Sequence, residues 1–167
     1  MLNTHENTAL SSTAEQGEFF EFLCSCASVR RAARAVTQLF EEVLAPSGVS
    51  ISQFIVLQIL HDHGPVPQCR LSEGMFVAAE TISRRLGLMR RMGWIQLQPG
   101  KDRRQRLYAL TDLGQKKFDL ALPYWIRAQK RLEKTMGEEQ MRETKRKLGA
   151  LTKAAQAAVW ARFPNVA

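Results

Sequence analysis

The sequence predicts a mainly α-helical chain with one small β-hairpin, on three observations. Long stretches toward both ends repeat apolar side chains at three- and four-residue spacing. Between Trp94 and Leu110, WIQLQPGKDRRQRLYAL, two short alternating apolar runs flank a Pro99-Gly100 turn signal. Just upstream, from Ala79 to Met92, Ile82, Leu86 and Met89 form one helical stripe surrounded by Arg84, Arg85, Arg90 and Arg91. A helix followed by a hairpin with a basic tip is the layout of a winged helix-turn-helix. The expected architecture is that unit set between long N- and C-terminal dimerisation helices.

The elements follow in order. Residues 1–17 are polar and aperiodic and are expected to be a mobile tail. Residues 18–48 form an N-terminal dimerisation helix, with Phe22, Val29, Ala33, Val36, Leu39, Phe40 and Val43 along one stripe and Pro46 and Gly48 as its stop. Residues 49–111 form the winged helix-turn-helix. It opens on a capping box, Ser50-Ile51-Ser52-Gln53, followed by Phe54, Leu57 and Leu60 facing inward. That helix ends near His61-Asp62-His63-Gly64, Pro65 and Pro67 mark a turn, and a brief helix spans Leu71 to Phe76. The Ala79–Met92 helix and the hairpin come next. Residues 112–167 supply two C-terminal dimerisation helices. Thr111 caps the first, in which Pro123 is expected to cause a kink, and Gly137 ends it; the second carries Met141, Leu148, Leu151, Ala155, Ala158 and Val159 on one side. Such stripes at both ends exceed what one subunit can cover, which predicts a homodimer.

Charge is concentrated in one place. From Arg84 to Arg106 there are eight basic residues and one acid, whereas the other residues of this 167-residue chain, net +8, carry 16 basic against 15 acidic groups. Clustered guanidinium and ammonium groups are the footprint of a polyanion-binding surface, because each one placed on a phosphate releases counterions. A non-specific architectural DNA binder would carry the same cluster, but one recognition helix and one wing on each half of a two-fold dimer favour a defined palindrome.

Other classes lack an anchor. No apolar run approaches the roughly 20 residues of a membrane span, and the polar start lacks a signal pattern, so a cytoplasmic location without membrane contact is expected. There is no phosphate-cradling glycine loop, His-Glu-x-x-His or Gly-x-Ser-x-Gly, so neither an enzyme nor a cofactor is expected. His61-Asp62-His63 near Cys69 matches no strong zinc spacing, and no metal site is assigned. Cys24, Cys26 and Cys69 show no disulfide framework.

From about Glu18 onward the chain resembles the MarR family of bacterial transcriptional regulators. The matching pieces are Glu80-Thr81-Ile82-Ser83-Arg84 with Arg91-Met92-Gly93-Trp94-Ile95, then Lys101-Asp102-Arg103-Arg104 with the Asp-x-Arg of the wing, then Leu110-Thr111-x-x-Gly114. Arg85 departs from the family, which is usually apolar at that position. In a winged helix the N-terminal half of the recognition helix meets base edges, which makes Glu80, Thr81, Ser83, Arg84 and Arg85 candidate DNA contacts in the major groove. Lys101, Asp102, Arg103, Arg104 and Arg106 are the wing candidates; the resemblance puts Arg104 in the neighbouring minor groove, with Asp102 holding a guanidinium in place.

The resemblance also implies a small-molecule pocket between the dimerisation helices and the DNA-reading core, often for aromatic carboxylates or phenols. Phe40, Phe54, Tyr124 and Trp125 are suited to line it, and Arg30, Arg31 and Arg34 to pair with a carboxylate. The same aromatics suit ordinary core packing and the same arginines a solvated face. The resulting expectation is a repressor released from a palindromic operator by such a ligand. The competing input is a thiol switch at Cys26, close to where peroxide-sensing members place a reactive cysteine, with Arg30 one turn on. Against it, Arg30 and Phe40 occupy positions where the supporting tyrosines are expected.

Overall fold

The computed structural model describes residues 24–100 and 105–160. Six helices and a three-stranded antiparallel sheet are found among them: α1 (Ser25–Leu44), α2 (Ile51–His63), β1 (Val66–Pro67), α3 (Gln68–Met75), α4 (Ala79–Arg91), β2 (Ile95–Pro99), β3 (Arg106–Leu110), α5 (Asp112–Met136) and α6 (Glu138–Trp160). A 3-10 turn, Ala45–Ser47, follows α1 and ends on Gly48 in the left-handed region. The expected tail, residues 1–17, and the first residues of the expected N-terminal helix lie outside the described residues.

The start of α2 forms as its sequence requires. The Gln53 amide donates to Ser50 Oγ at 3.2 Å, and the Ser50 amide donates to Gln53 Oε1 at 2.9 Å. Two amides left over by the first helical turn are thereby satisfied. Phe54 at the next position is 0% exposed, stacked on Phe118 at 5.5 Å and on Trp125 at 5.6 Å between ring centroids. Leu44, Leu57, Leu71, Ile82, Leu86 and Met89 complete the centre of the core. Helix α5 is continuous through Pro123, where the sequence predicts a kink. Proline removes one backbone donor, and the buried Ala121 and Ala128 flank that position where the helix packs against α1 and α2.

The sheet has the order β1-β3-β2. Strands β2 and β3 pair from Ile95 with Leu110 to Pro99 with Arg106, closing the hairpin read from the sequence. Strand β1 was not expected: Val66 and Pro67 pair with Tyr108 and Leu107, in a segment that reads as a turn. Two residues cannot show an alternation, and proline is tolerated because β1 lies at the sheet edge, where the missing N–H is not needed.

Between α3 and α4 the chain turns at Phe76, whose φ of 52° is the one positive value among the described non-glycine residues. Its amide closes the end of α3 on Glu73 and Ser72, yet its ring is 67% exposed. A side chain in the left-handed region costs about 1–2 kcal/mol, and this ring recovers little by burial. Phe76→Gly is therefore expected to raise stability by about 0.5–1 kcal/mol in urea denaturation, the relief being partly offset by the greater freedom of glycine in the unfolded chain. A loss of stability would show that the exposed ring packs more than its surface suggests.

Candidate nucleic-acid interface

Helix α4 turns one face inward through Ile82, Leu86 and Met89, all fully buried. At about 100° per residue this leaves Glu80, Arg84 and Arg91 on the opposite crest, Ser83 and Arg90 on the flank toward the hairpin, and Thr81 and Arg85 on the flank toward α2. Glu80, Thr81, Ser83 and Arg84 are exposed, whereas Arg85 is half-buried. Glu80, Thr81, Ser83 and Arg84 are thus all accessible, on the crest and its two flanks.

A groove runs along each flank. On the hairpin side a space of about 650 Å³ is bordered by Arg90, Arg91 and Arg106 together with Gly87, Ile95, Gln96 and Leu97. On the α2 side a space of about 370 Å³ is bordered by Arg84, Arg85, Thr81, Leu88, Ser50, Ser52 and Gln53. An exposed helical crest between two guanidinium-lined grooves suits a duplex. A helix fits the width of the major groove, and the phosphates of both strands lie along its walls. Arg106 opens β3 and is exposed; Lys101, Asp102, Arg103 and Arg104 lie outside the described residues. Arg90, Arg91 and Gln96 were absent from the sequence-based candidate site, although the first two belong to the charge run that first marked this region.

The hairpin is locked to the rest of the fold at its base. Thr111 Oγ1 donates to the Gly93 carbonyl at 2.6 Å and accepts from the Gly114 amide at 3.0 Å, and the Thr111 amide donates to the Trp94 carbonyl at 3.1 Å. Gly93 has φ of 71°, the left-handed turn that brings the chain out of α4. Lys117 lies over the Trp94 ring, 5.5 Å from its centroid.

The seven candidates for a small-molecule pocket do not converge on one opening. Phe54 is sealed in the core by its two stacked neighbours, a correction to its reading as a pocket wall: a ring flanked by Phe118 and Trp125 has no free face to offer. Trp125 is half-buried against it, and half-buried Tyr124 lies under Arg127 at 5.1 Å. Arg30 and Arg34 are exposed on α1. Phe40 alone of the seven borders the large apolar groove of about 560 Å³ between α1, α5 and α6, whose walls include Val36, Leu132, Met141 and Leu148.

Cys24, Cys26 and Cys69 are free and exposed. His61 Nδ1 is 3.1 Å from Gln115 Oε1 and its ring stacks on Phe118, so its place in the fold is accounted for by packing and one hydrogen bond. Among the described residues no single helix is long and apolar enough to cross a membrane.

No family model matches the chain. It is 32% identical over 91 residues, 54% of this chain and 66% of the relative, to the uncharacterized HTH-type transcriptional regulator YwoH of Bacillus subtilis. It is 29% identical over 96 residues, 57% of this chain and 61% of the relative, to the HTH-type transcriptional repressor NicR of Pseudomonas putida. The chain thus spans just under two thirds of the length of these curated relatives. Among solved structures, the transcriptional regulator MosR of Mycobacterium tuberculosis in complex with DNA superposes with a TM-score of 0.73 at 29% identity, over 81% of this chain and 98% of that one. At lower identity the fold is shared with a MarR variant of Escherichia coli complexed with operator DNA (19% identity, TM-score 0.71, 80% and 96% covered). It is shared also with CouR of Rhodococcus jostii bound to p-coumaroyl-CoA (18% identity, TM-score 0.67, 75% and 89% covered).

Proposed function

We propose that this chain, a winged-helix protein of the MarR type, acts as a homodimeric DNA-binding transcriptional regulator that recognises a palindromic operator. The observation that carries this reading is the exposed crest of α4 held between two arginine-lined grooves. It is supported by the likeness to MosR, a transcriptional regulator solved with DNA, at 98% coverage of that chain. Two such helices related by a two-fold axis would read two half-sites one helical turn apart.

Roles divide by chemistry. Arg84, on the crest, can donate two parallel hydrogen bonds to guanine O6 and N7, with Glu80, Thr81 and Ser83 around it as short polar neighbours. Lys101, Arg103, Arg104 and Arg106 supply wing contacts to the backbone and the adjacent minor groove, with Asp102 orienting a guanidinium. Selection from a randomised duplex library should enrich an inverted repeat. Arg84→Ala should cost about 1–3 kcal/mol per contact and relax preference at one position per half-site, whereas Lys101→Ala should weaken all sequences alike and flatten the salt dependence. Wild-type specificity ratios near one would favour an architectural DNA binder.

The reading extends to repression relieved by an aromatic acid or phenol. Phe40, Tyr124 and Trp125 are the candidate aromatic walls, with Arg30 and Arg34 for the carboxylate; CouR, of the same fold, is solved with an aromatic acyl thioester. Such a ligand must prefer the arrangement of recognition helices that does not fit DNA, since equal affinity for both arrangements shifts nothing. Operator release by an aromatic acid should persist when Cys24, Cys26 and Cys69 are all replaced by serine. Release by hydroperoxide in the wild type, lost in the serine variant, with no aromatic compound acting, would instead assign the input to the exposed Cys26.

A further inference from the structure

Arg85 is the residue that the winged-helix pattern does not account for. The structure half-buries its side chain on the α2 flank of α4. Its Nη1 is sealed from solvent and has no hydrogen-bond partner among the described residues. A guanidinium cannot shed its charge, so a buried, unpaired donor of this kind weakens the fold unless an anion meets it. What surrounds it is suited to one. The adjoining groove of about 370 Å³ is bordered by Ser50, Ser52, Gln53, Thr81 and a second guanidinium, Arg84, with Leu88 as the apolar wall and no acid among its lining residues. The Ser50 and Ser52 hydroxyl oxygens are 3.3 Å apart. Glu41 is the nearby acid on α1; it is engaged at 3.2 Å with the Ile51 amide.

We propose that Arg85 is a phosphate-binding residue rather than a base reader. With the Ser50 and Ser52 hydroxyls it holds one backbone phosphate of the DNA strand on the α2 side of the recognition helix, leaving Arg84 to the bases. This rests on the DNA-binding reading above and deepens it. The placement favours a phosphate over a base, because Arg85 lies about 100° around the helix from the Arg84 crest, on the side that meets a groove wall and not its floor. The groove lined by Arg90, Arg91 and Arg106 stands in the corresponding place for the opposite strand. The two grooves together would set how deeply α4 enters the duplex and at what rotation, and base contacts depend on that register.

The experiment uses the full chain, a duplex enriched by the wild type from a randomised library, and a generic duplex as reference. Arg85→Met keeps the side-chain bulk and removes the charge. On both duplexes it is expected to bind about a hundredfold more weakly at low salt and to lower the log–log salt slope by about 1.8, the loss of one phosphate contact from each protomer of the dimer, with the specificity ratio unchanged. Its melting temperature should equal or exceed that of the wild type. Methylphosphonate substitution, one phosphate at a time, should reveal a position that weakens the wild type but not Arg85→Met. Arg85→Lys should keep the slope while losing part of the affinity, because the planar fork is gone. If Arg85→Met fails to fold, the methylphosphonate scan on wild type and Arg85→Lys decides, and the absence of any position affecting the two differently overturns the proposal. An unchanged slope overturns it, as does a loss confined to the enriched duplex, which would make Arg85 a base reader. Inorganic phosphate that raises the melting temperature of the wild type but not of Arg85→Met, with DNA binding unaltered, would assign the groove to a free anion. Failure to enrich any sequence would count against the regulator reading alone, since the generic duplex still reports the slope.

Discussion

A Gly114→Ala variant will lose about 3 kcal/mol of stability or more, the largest effect expected of a methyl group added at any of the described glycines. A Cβ at that position would lie 1.9 Å from the Trp94 carbonyl oxygen and 2.9 Å from its carbonyl carbon, both backbone atoms. Neither can retreat cheaply. The Trp94 oxygen accepts the Thr111 amide, the Thr111 hydroxyl bridges Gly93 and Gly114, and the Trp94 side chain is buried in the core. Moving Gly114 outward would break the N-cap of α5, itself worth about 1 kcal/mol, and uncouple the hairpin from the helix that supports it. Urea denaturation should show the loss, and duplex binding should fall with it because the β2–β3 hairpin no longer has a fixed base. Gly149→Ala is the matched control. Its added Cβ meets nothing within 4 Å on α6, so it should gain up to about 1 kcal/mol from helix propensity. Equal behaviour of the two variants would mean that the close approach at Gly114 relaxes without cost.

That contact shows what a sequence reveals and what it withholds. The pattern Leu110-Thr111-x-x-Gly114 announces a helix start, and Thr111 caps α5 as its residue type demands. Why position 114 must be glycine depends on a carbonyl 20 residues earlier, which no local pattern records. The same division runs through the fold. The capping box at Ser50 and Gln53, the stripe Ile82, Leu86, Met89 and the pairing of β2 with β3 were legible because each is set by neighbours within a few residues. Strand β1 was not, because Val66 and Pro67 become a strand only when Tyr108 and Leu107 arrive beside them. In the candidate site the exposed crest of α4 followed from periodicity alone. The half-burial of Arg85 and the sealing of Phe54 required knowing what α2 and α5 bring to each. Aromatic identity could not separate a pocket wall from a core ring, since a stack such as Phe118–Phe54–Trp125 joins residues more than 60 positions apart. The large apolar groove was legible as the stripes through Val29, Ala33, Val36, Phe40, Met141 and Leu148, whereas Ala32, Thr37 and Gln129 are too ordinary to attract notice singly.

The second large effect concerns that groove. Val36→Glu and Leu148→Glu, each made alone, are expected to abolish dimerisation and to weaken operator binding about a hundredfold or more, while leaving the protomer folded. Val36 and Leu148 are 40% and 47% exposed in the single chain, on facing walls of the space between α1, α5 and α6, so a carboxylate there remains solvated in the protomer. In a dimer closed over the same walls it would be desolvated without a partner, and the two-fold axis would present it twice. Further along α6, Leu151 and Val159 are also exposed, at 44% and 62%, which extends the uncovered apolar surface beyond what a lone subunit usually tolerates. In the proposed dimer two reading heads bind one palindrome together, and separating them would forfeit a joint affinity that exceeds either alone by about 10²–10⁴. Sedimentation should therefore show a monomer for both variants with unchanged circular dichroism, and a duplex with one half-site should bind variant and wild type within a few-fold of each other. A wild type that sediments as a monomer at micromolar concentration, or variants that dimerise and bind the full operator normally, would place the partner surface elsewhere and remove the basis for two-half-site recognition.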